Sequence, residues 1–288
     1  GIYCRAEQSH LVDVAHENDP QNNGLFAEQF LRFAMNELLQ IRIQEGDGPT
    51  LIYLPGTHGD WTLNTAFRRE INGHARLVEF TFPRTQDWSL TDHAKSIEQK
   101  LLENKIERGW ILAESFASQI AWAWLGQNSK QFQIEGLILA GGFVRHPMIP
   151  AVHFAKFLTR NTPTPLLKII LSFYTFYART READSPETRA ALNGFVERRT
   201  KEDLLAAAHR LELIAQNDLR PLARKTTVPV FYLTGLIDPI VPWPFVLPWL
   251  KKNCPGYRNW KVIFTSDHHV LGAARKSAEQ ILKWIEVR

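Results

Sequence analysis

The sequence is poor in cysteine, with Cys4 and Cys254 as the two thiols among 288 residues. Cysteines this far apart form no short-range pair, and such sparse use is more typical of a reducing compartment than of a disulfide-stabilised secreted domain. A chain of this length can bury roughly three quarters of its unfolded surface, so it needs neither disulfides nor a metal to stabilise its core. We therefore expect a cytoplasmic globular protein.

Clusters of like charge and long apolar runs are also missing. The 34 basic and 30 acidic residues leave a net charge of +4, and no five consecutive residues carry the same charge. The densest basic stretch, residues 198–201, is followed at once by two acidic residues, as on a solvated helix face. Nucleic-acid binding requires a clustered basic stripe and is not expected. No apolar run reaches the roughly 18 residues of a membrane-spanning helix, so we expect no integral membrane segment.

Short apolar segments alternate with segments of helical periodicity from Pro49 onward. The segments with strand character are 50–54, 75–82, 110–113, 134–141, 228–234 and 260–265. The segments with helical periodicity are 91–104, 116–127 and 273–286. Strands that alternate with helices predict βαβ units, and near-continuously apolar strands are typical of a sheet covered on both faces. The sequence thus predicts an α/β protein, a three-layer α/β/α sandwich with a mostly parallel sheet.

This alternation stops between residues 143 and 225. The segment is helical by pattern, contains several prolines, and is too long for an ordinary loop between a strand and a helix. We interpret residues 143–225 as a helical cap inserted into the sheet domain. The core is then formed by residues 25–142 and 226–288.

The N-terminal region gives a less definite pattern. Residues 1–24 are polar and are predicted to form a loosely held arm. Residues 29–35 and 38–44 are predicted as two strands, and a single helix across both is the alternative. Three residues of the arm have a spacing that metal ligands can have: His10, Asp13 and His16. Because a polar arm is more consistent with solvated side chains, we expect no metal and no cofactor.

One segment, residues 109–118, is predicted to be a strand that leads directly into a helix, with Ser115 at the junction. A sharp strand-to-helix turn exposes its central side chain at the sheet edge and directs free N–H groups of the helix toward the space above it. Such a turn needs small residues two positions to either side, and Ala113 and Ala117 are there. Taken alone, this pattern is equally consistent with a buried structural serine.

Two further apolar strands are followed by a titratable side chain. Asp238 follows the strand at 228–234, and His268 and His269 follow the strand at 260–265. The carboxyl ends of parallel strands meet at one edge of a sheet, where open α/β folds bind ligands. A serine becomes a good nucleophile when a base takes its proton, and the imidazole base needs a carboxylate partner. The order serine, aspartate, histidine therefore indicates nucleophilic catalysis.

These motifs resemble those of the α/β-hydrolase family over about residues 49–287. The resemblance implies that Ser115 is the nucleophile, Asp238 the acid and His268 the general base, with His269 as the alternative base. It also implies that the insertion is the cap or lid of the family.

The resemblance further implies an oxyanion hole made by the backbone N–H groups of Thr57 and Phe116. Here the sequence P-G-T-H-G stands where many members carry a His-Gly pair. Backbone donors survive a change of side chain, so this departure does not remove the hole. The residues that we predict to line a substrate pocket are His58, Phe143, Phe173 and Tyr177.

The expected function is a cofactor-independent serine hydrolase that acts on an ester of an apolar acyl group. A serine at this turn disfavours the dehalogenase and epoxide-hydrolase branches of the family, which use aspartate. The same triad also serves thioesters and lactones, so the scissile bond stays open. Two alternatives are a catalytically silent small-molecule-binding protein of this fold and an interfacial lipase with residues 166–177 as its lid. The oligomeric state is not predicted.

Overall fold

The computed structural model describes residues 39–127, 129, 131–163, 165–166 and 199–286. In this part of the chain seven strands form one sheet in the order β1-β3-β2-β4-β5-β6-β7. Their bounds are β1 Gln40–Gln44, β2 Thr50–Leu54, β3 Arg76–Thr81, β4 Arg108–Glu114, β5 Gln133–Ala140, β6 Val230–Gly235 and β7 Tyr257–Ile263. β1 pairs antiparallel with β3, and the other neighbouring strands pair in parallel. The predicted mostly parallel sheet is confirmed, and the carboxyl ends of β2 to β7 lie at one edge.

Helices cover both faces of this sheet. They are α1 Thr65–Ile71, α2 Leu90–Glu103, α3 Ala117–Gly126, α4 Ile149–Asn161, α5 Lys201–Gln216, α6 Arg220–Ala223, α7 Trp243–Asn253 and α8 Ala274–Ile285. The buried side chains of α2, α3 and α7 join one apolar cluster, and those of α1 and α8 join another. Two clusters separated by one sheet define the three-layer sandwich that the sequence predicts. None of the described helices is both long and apolar enough to cross a membrane.

The strands are apolar because both of their faces are covered. From Trp110 to Ala113, each side chain of β4 is buried, and β5 is buried from Gly136 to its end. α2 begins with a capping box, in which the Ser89 hydroxyl accepts from the Asp92 N–H and the Asp92 carboxylate accepts from the Ser89 N–H. Such reciprocal bonds satisfy donors that the first turn of a helix leaves free. Burial on both faces therefore explains the apolar composition of β4 and β5, and the capping box explains where α2 begins.

Two helices of the core were not predicted from the sequence. α1 is short, with seven residues, and α7 contains Pro244 near its start and Pro248 in its interior. Proline is tolerated in a first turn, but an interior proline removes a backbone hydrogen bond and obscures the helical pattern. Pro248 is accommodated because the apolar face of α7, with Val246 and Leu250, packs on the core.

The N-terminal prediction is settled only in part. Residues 40–44 form a strand, so a helix over that stretch is excluded, whereas the predicted strand at 29–35 lies outside the described residues.

Within residues 143–225 the described residues form α4, α5 and α6 between β5 and β6. α4 and α5 contact each other. We call residues 143–225 the insertion, and its role as a separate cap domain stays a prediction.

Candidate active site

Ser115 lies between the end of β4 and the start of α3. Its φ is +49°, in the left-handed region that non-glycine residues seldom occupy. This conformation costs about 1–2 kcal/mol, which the surroundings must offset. The Ser115 N–H donates to the Ala140 carbonyl at 3.0 Å, and the Ser118 hydroxyl donates to the Ser115 carbonyl at 2.6 Å. The buried Ala113 and Ala117 flank this turn, which is the sharp strand-to-helix junction that the sequence indicates.

His268 joins the hydroxyl of Ser115 to the carboxylate of Asp238. The Nε2 atom of His268 is 2.9 Å from Ser115 Oγ, and its Nδ1 atom is 2.9 Å from Asp238 Oδ2. The other carboxylate oxygen of Asp238 accepts the N–H groups of Ile240 and Val241 at 2.9 and 2.8 Å. The carboxylate is therefore held in one orientation by its own turn. Ser115, His268 and Asp238 are brought together as the sequence predicts.

The electrostatic environment favours a charged His268. Burial alone lowers the pKa of this imidazole, but the carboxylates of Asp238, Glu114 and Asp267 outweigh burial and raise the pKa above its ordinary value. His146 lies nearby, and burial together with the positive charge of His268 lowers the pKa of His146 to about 4. At neutral pH the neutral His146 therefore adds no positive charge beside the base.

His269, the alternative base, faces a different carboxylate. Its Nδ1 atom is 2.7 Å from Glu114 Oε1, and the hydroxyl of Tyr53 donates to Glu114 Oε2. His58 Nε2 lies 3.9 Å from Glu114 Oε2. Burial opposes the charge of Glu114, but His269, His58 and the Tyr53 hydroxyl more than offset it and lower its pKa to about 2. Glu114 is thus a buried, ionised carboxylate that joins three segments of the site.

The loop after β2 lies against the serine. A Cβ placed on Gly56 would be 3.4 Å from the Cβ of Ser115, so this backbone is in contact with the side chain. In the described part of the chain, the N–H groups of Thr57 and Phe116 have no acceptor. Free backbone donors next to a serine hydroxyl are the groups that an oxyanion hole requires.

The four predicted pocket residues have different positions. His58 is largely buried beside Glu114, and burial lowers the pKa of its imidazole. Phe143 is fully buried, with its ring centroid 5.0 Å from that of His146, so it packs in the core and presents no surface to a substrate. Phe173 and Tyr177 lie outside the described residues.

Several residues of the site were missed from the sequence. Glu114 directly precedes Ser115, and the signal that could have identified it is a carboxylate at the end of an otherwise apolar strand. Arg210 was missed because a charged residue on a helix of mixed polar and apolar composition is normally exposed, whereas the structure buries this one. Tyr53 gave no such signal, since a tyrosine within an apolar strand is ordinary core composition.

Comparison with known proteins agrees with this geometry. The sequence profile described as the alpha/beta hydrolase fold matches residues 76–272. Because this range exceeds half of the chain, the protein belongs to the α/β-hydrolase fold family. No curated protein sequence matches the chain.

Solved structures of the same fold include proteins with different reactions. An esterase from Exiguobacterium antarcticum is 17% identical, with a TM-score of 0.69 over 86% of this chain and 95% of that one. An enol-lactonase from Burkholderia xenovorans is 16% identical, with a TM-score of 0.71 over 86% and 96%. A bromoperoxidase from Bacillus anthracis is 13% identical, with a TM-score of 0.68 over 86% and 95%. At such identities the likeness shows the fold alone.

Proposed function

We propose that the protein is a serine hydrolase that cleaves a carboxylic ester of an apolar acyl group, with thioesters and lactones as further substrates of the same chemistry. The observation that supports this most directly is the unbroken hydrogen-bonded chain from Ser115 through His268 to Asp238. An imidazole held by a carboxylate on one nitrogen and facing a hydroxyl on the other is arranged to accept the hydroxyl proton. The left-handed backbone at Ser115 adds a second, independent argument.

The reaction then proceeds in two halves. Ser115 Oγ bonds to the carbonyl carbon while its proton passes to His268 Nε2, and the imidazolium gives this proton to the departing alcohol as the C–O bond breaks. Water then attacks the acyl carbon and loses a proton to His268, and the imidazolium returns this proton to Ser115 Oγ as the bond between the acyl carbon and Oγ breaks and the carboxylic acid leaves. Asp238 holds the imidazole in place and stabilises its charged form in both halves.

The negative charge that develops on the substrate oxygen is assigned to the N–H groups of Thr57 and Phe116. Both donors are unused in the described residues, and both belong to segments that adjoin Ser115. Loss of one such donor costs about 3–4 kcal/mol in the transition state. A backbone N–H group cannot be removed by changing a side chain. Its role is therefore tested by substituting the residues that hold the backbone in position.

An apolar acyl group is supported by the side chains around the acid. Leu236, Ile237 and Ile240 precede or follow Asp238 closely and are exposed. Exposed apolar side chains of this size, close in sequence to the proposed triad acid, favour an apolar substrate. Esterase and enol-lactonase activities among proteins of the same fold agree with carbonyl chemistry at the serine.

The test combines covalent labelling with turnover. A fluorophosphonate probe is expected to label the folded chain at Ser115, and Ser115→Ala is expected to abolish labelling and lower kcat on nitrophenyl esters by about 10⁴-fold or more. Ser96→Ala, on α2 and away from the site, is the matched control and is expected to keep both.

A series of acyl chain lengths, as esters and thioesters, then measures the substrate preference. Absence of labelling in a folded wild-type chain would favour the silent binding protein instead.

A further inference from the structure

Four successive carbonyls of the loop beside Ser115 are all engaged. The Gly56 carbonyl accepts the Gly59 N–H at 3.0 Å, and the Gly59 carbonyl accepts the Phe82 N–H at 2.7 Å. The two carbonyls between them accept from arginines of the insertion, Thr57 from Arg210 at 2.9 Å and His58 from Arg199 at 3.3 Å. The first bond closes the loop on itself, the second ties its Gly59 end to the core, and the insertion holds its middle.

We propose that Arg210, assisted by Arg199, is a positioning residue of the reaction, which holds the Thr57 N–H in place to bind the oxyanion at Ser115. This proposal rests on the proposed function, since it concerns the same oxyanion hole. The carbonyl of Thr57 and its N–H lie on neighbouring peptide planes. A guanidinium that fixes the carbonyl therefore restricts the direction of the N–H.

The Arg210 side chain is buried and is held by backbone carbonyls. It is 3% exposed, and its second terminal nitrogen donates to the Pro83 carbonyl at 2.8 Å, next to the core strand β3. Burial and the nearby charge of Arg199 lower its pKa to about 10, so the guanidinium is still charged at neutral pH. In the described part of the chain no carboxylate is hydrogen-bonded to Arg210, and its N–H groups go to backbone carbonyls.

The loop and the guanidinium are fitted to each other at Gly59. This residue has φ +78°, and a Cβ placed on it would lie 2.4 Å from a terminal nitrogen of Arg210. Any other residue would be strained in the backbone and would displace the arginine. The close approach therefore depends on glycine at this position.

Arg199 supports the same loop one residue further on. Its other terminal nitrogen is 2.8 Å from Asp60 Oδ2, while Asp60 Oδ1 accepts the Thr62 N–H at 2.8 Å. Burial opposes the charge of Asp60, but His58 and Arg199 offset it and lower the pKa of this carboxyl. The far end of the loop is thereby anchored to the 3₁₀ turn that precedes α1.

A donor held in advance stabilises an oxyanion without reorganisation during the reaction. A displacement of about 1 Å in such a group can lower the rate about 100-fold. Arg210→Met removes both carbonyl contacts but keeps an unbranched apolar side chain. We expect kcat for a nitrophenyl ester to fall by about 10- to 100-fold with KM changed by less than about threefold, because the donor matters mainly in the transition state.

The chain offers a matched control in Arg84. This arginine also joins α5 to the core, through Asp203 at 2.8 Å, but the structure gives it no contact with the loop. If Arg210 only attached the insertion, Arg84→Met and Arg210→Met would have similar effects. Arg84→Met is expected to leave kcat within about threefold. Equal losses of kcat in the two variants, or an effect of Arg210→Met confined to KM, would overturn the proposal.

Hydrogen–deuterium exchange gives a readout that does not depend on catalysis. Peptides that contain residues 55–60 are expected to exchange faster in Arg210→Met than in wild type. In Arg84→Met the same peptides are expected to exchange at the wild-type rate. Unchanged exchange would refute the role of Arg210 in ordering the loop, even if the wild-type enzyme is labelled at Ser115. A wild-type chain that is neither labelled nor active would instead refute the proposed function and, with it, the catalytic role of the loop. In that case the exchange comparison still shows whether Arg210 orders residues 55–60.

Arg199→Met provides a second variant should Arg210→Met fail to fold. Its side chain is less buried than that of Arg210 and holds the loop through one carbonyl and Asp60. A smaller fall in kcat, of about 3- to 10-fold, with faster exchange of the same peptides is expected. Wild-type values of both kcat and exchange would count against the proposal.

Discussion

The protein contains two adjacent imidazole–carboxylate pairs that differ in what the rest of each pair contacts. The distance from Nδ1 of His268 to Oδ2 of Asp238 is 2.9 Å, and the distance from Nδ1 of His269 to Oε1 of Glu114 is 2.7 Å. The second nitrogen of His268 faces the Ser115 hydroxyl, whereas the carboxylate of the other pair is shared with the Tyr53 hydroxyl. We infer that the same two chemical groups serve the proposed reaction in one pair and attach neighbouring segments to each other in the other pair.

The two imidazoles are neighbours in the chain, and the carboxylate of the second pair directly precedes the serine that the first pair faces, whereas Asp238 comes from a third segment. Glu114 immediately precedes Ser115, and His269 immediately follows His268. The two successive side chains of each segment face different partners, because Glu114 contacts His269 while Ser115 contacts His268. A single substitution can therefore test one pair and leave the other in place.

The largest expected difference is between the two histidines. His268→Ala removes the proposed base and is expected to lower kcat by about 10⁴-fold or more. His269→Ala is expected to lower kcat by less than about tenfold, but to reduce the free energy of unfolding by about 3 kcal/mol, because Glu114 loses its strongest partner while buried. Ester turnover and urea unfolding measure the two effects. Similar losses of kcat in both variants would contradict the assignment of His268 as the base.

A smaller effect is expected from the charge of Glu114. The carboxylates of Asp238, Glu114 and Asp267 raise the pKa of His268, while burial opposes them. The base must be neutral to act, so activity appears as pH rises through this pKa. Glu114→Gln removes one negative charge and is expected to move the acidic limb of kcat/KM to lower pH.

The control for this shift is Glu279→Gln, the same chemical change at an exposed ion pair of α8. It is expected to leave the pH profile unchanged. An acidic limb that stays in place or moves upward in Glu114→Gln would show that Glu114 does not act on His268 through its charge.

The smallest expected effect concerns Tyr53. Tyr53→Phe removes the hydroxyl that donates to Glu114 and is expected to reduce the free energy of unfolding by about 1–2 kcal/mol, with kcat changed by less than about threefold. Tyr257→Phe is the matched control, because the Tyr257 hydroxyl has no hydrogen-bond partner in the described part of the chain. A loss of kcat in Tyr53→Phe comparable to that of His268→Ala would show that the two pairs act as one unit.

Much of the sheet and the positions of the three triad candidates follow from local sequence. Apolar runs predict the strands, and the residue types just after them predict where chemistry is brought together, as for Ser115 and Asp238. The preference for His268 over His269 comes from the family resemblance and not from local sequence, because both follow the same strand and the difference lies in which side of one turn each faces.

Other parts of the site have no local signature. Arg210 binds carbonyls that are 153 and 127 residues away along the chain, and every residue of a protein, proline included, offers such a carbonyl. Such a contact depends on how the insertion packs on the core, which no short window of sequence reveals. α7 was missed for the opposite reason. Its interior Pro248 predicts against a helix, but packing of the helix on the core outweighs this local preference.

The insertion leaves and re-enters the sheet through adjacent strands, since Ala140 of β5 pairs with Leu233 of β6. The entropy needed to close a loop grows only slowly with its length, so residues can be added to or removed from this segment with little effect on the spacing of Ser115 and Asp238. Evolution or engineering can therefore exchange the insertion and retain the sheet edge that carries Ser115 and Asp238. Such chimaeras would need arginines that reach residues 57 and 58.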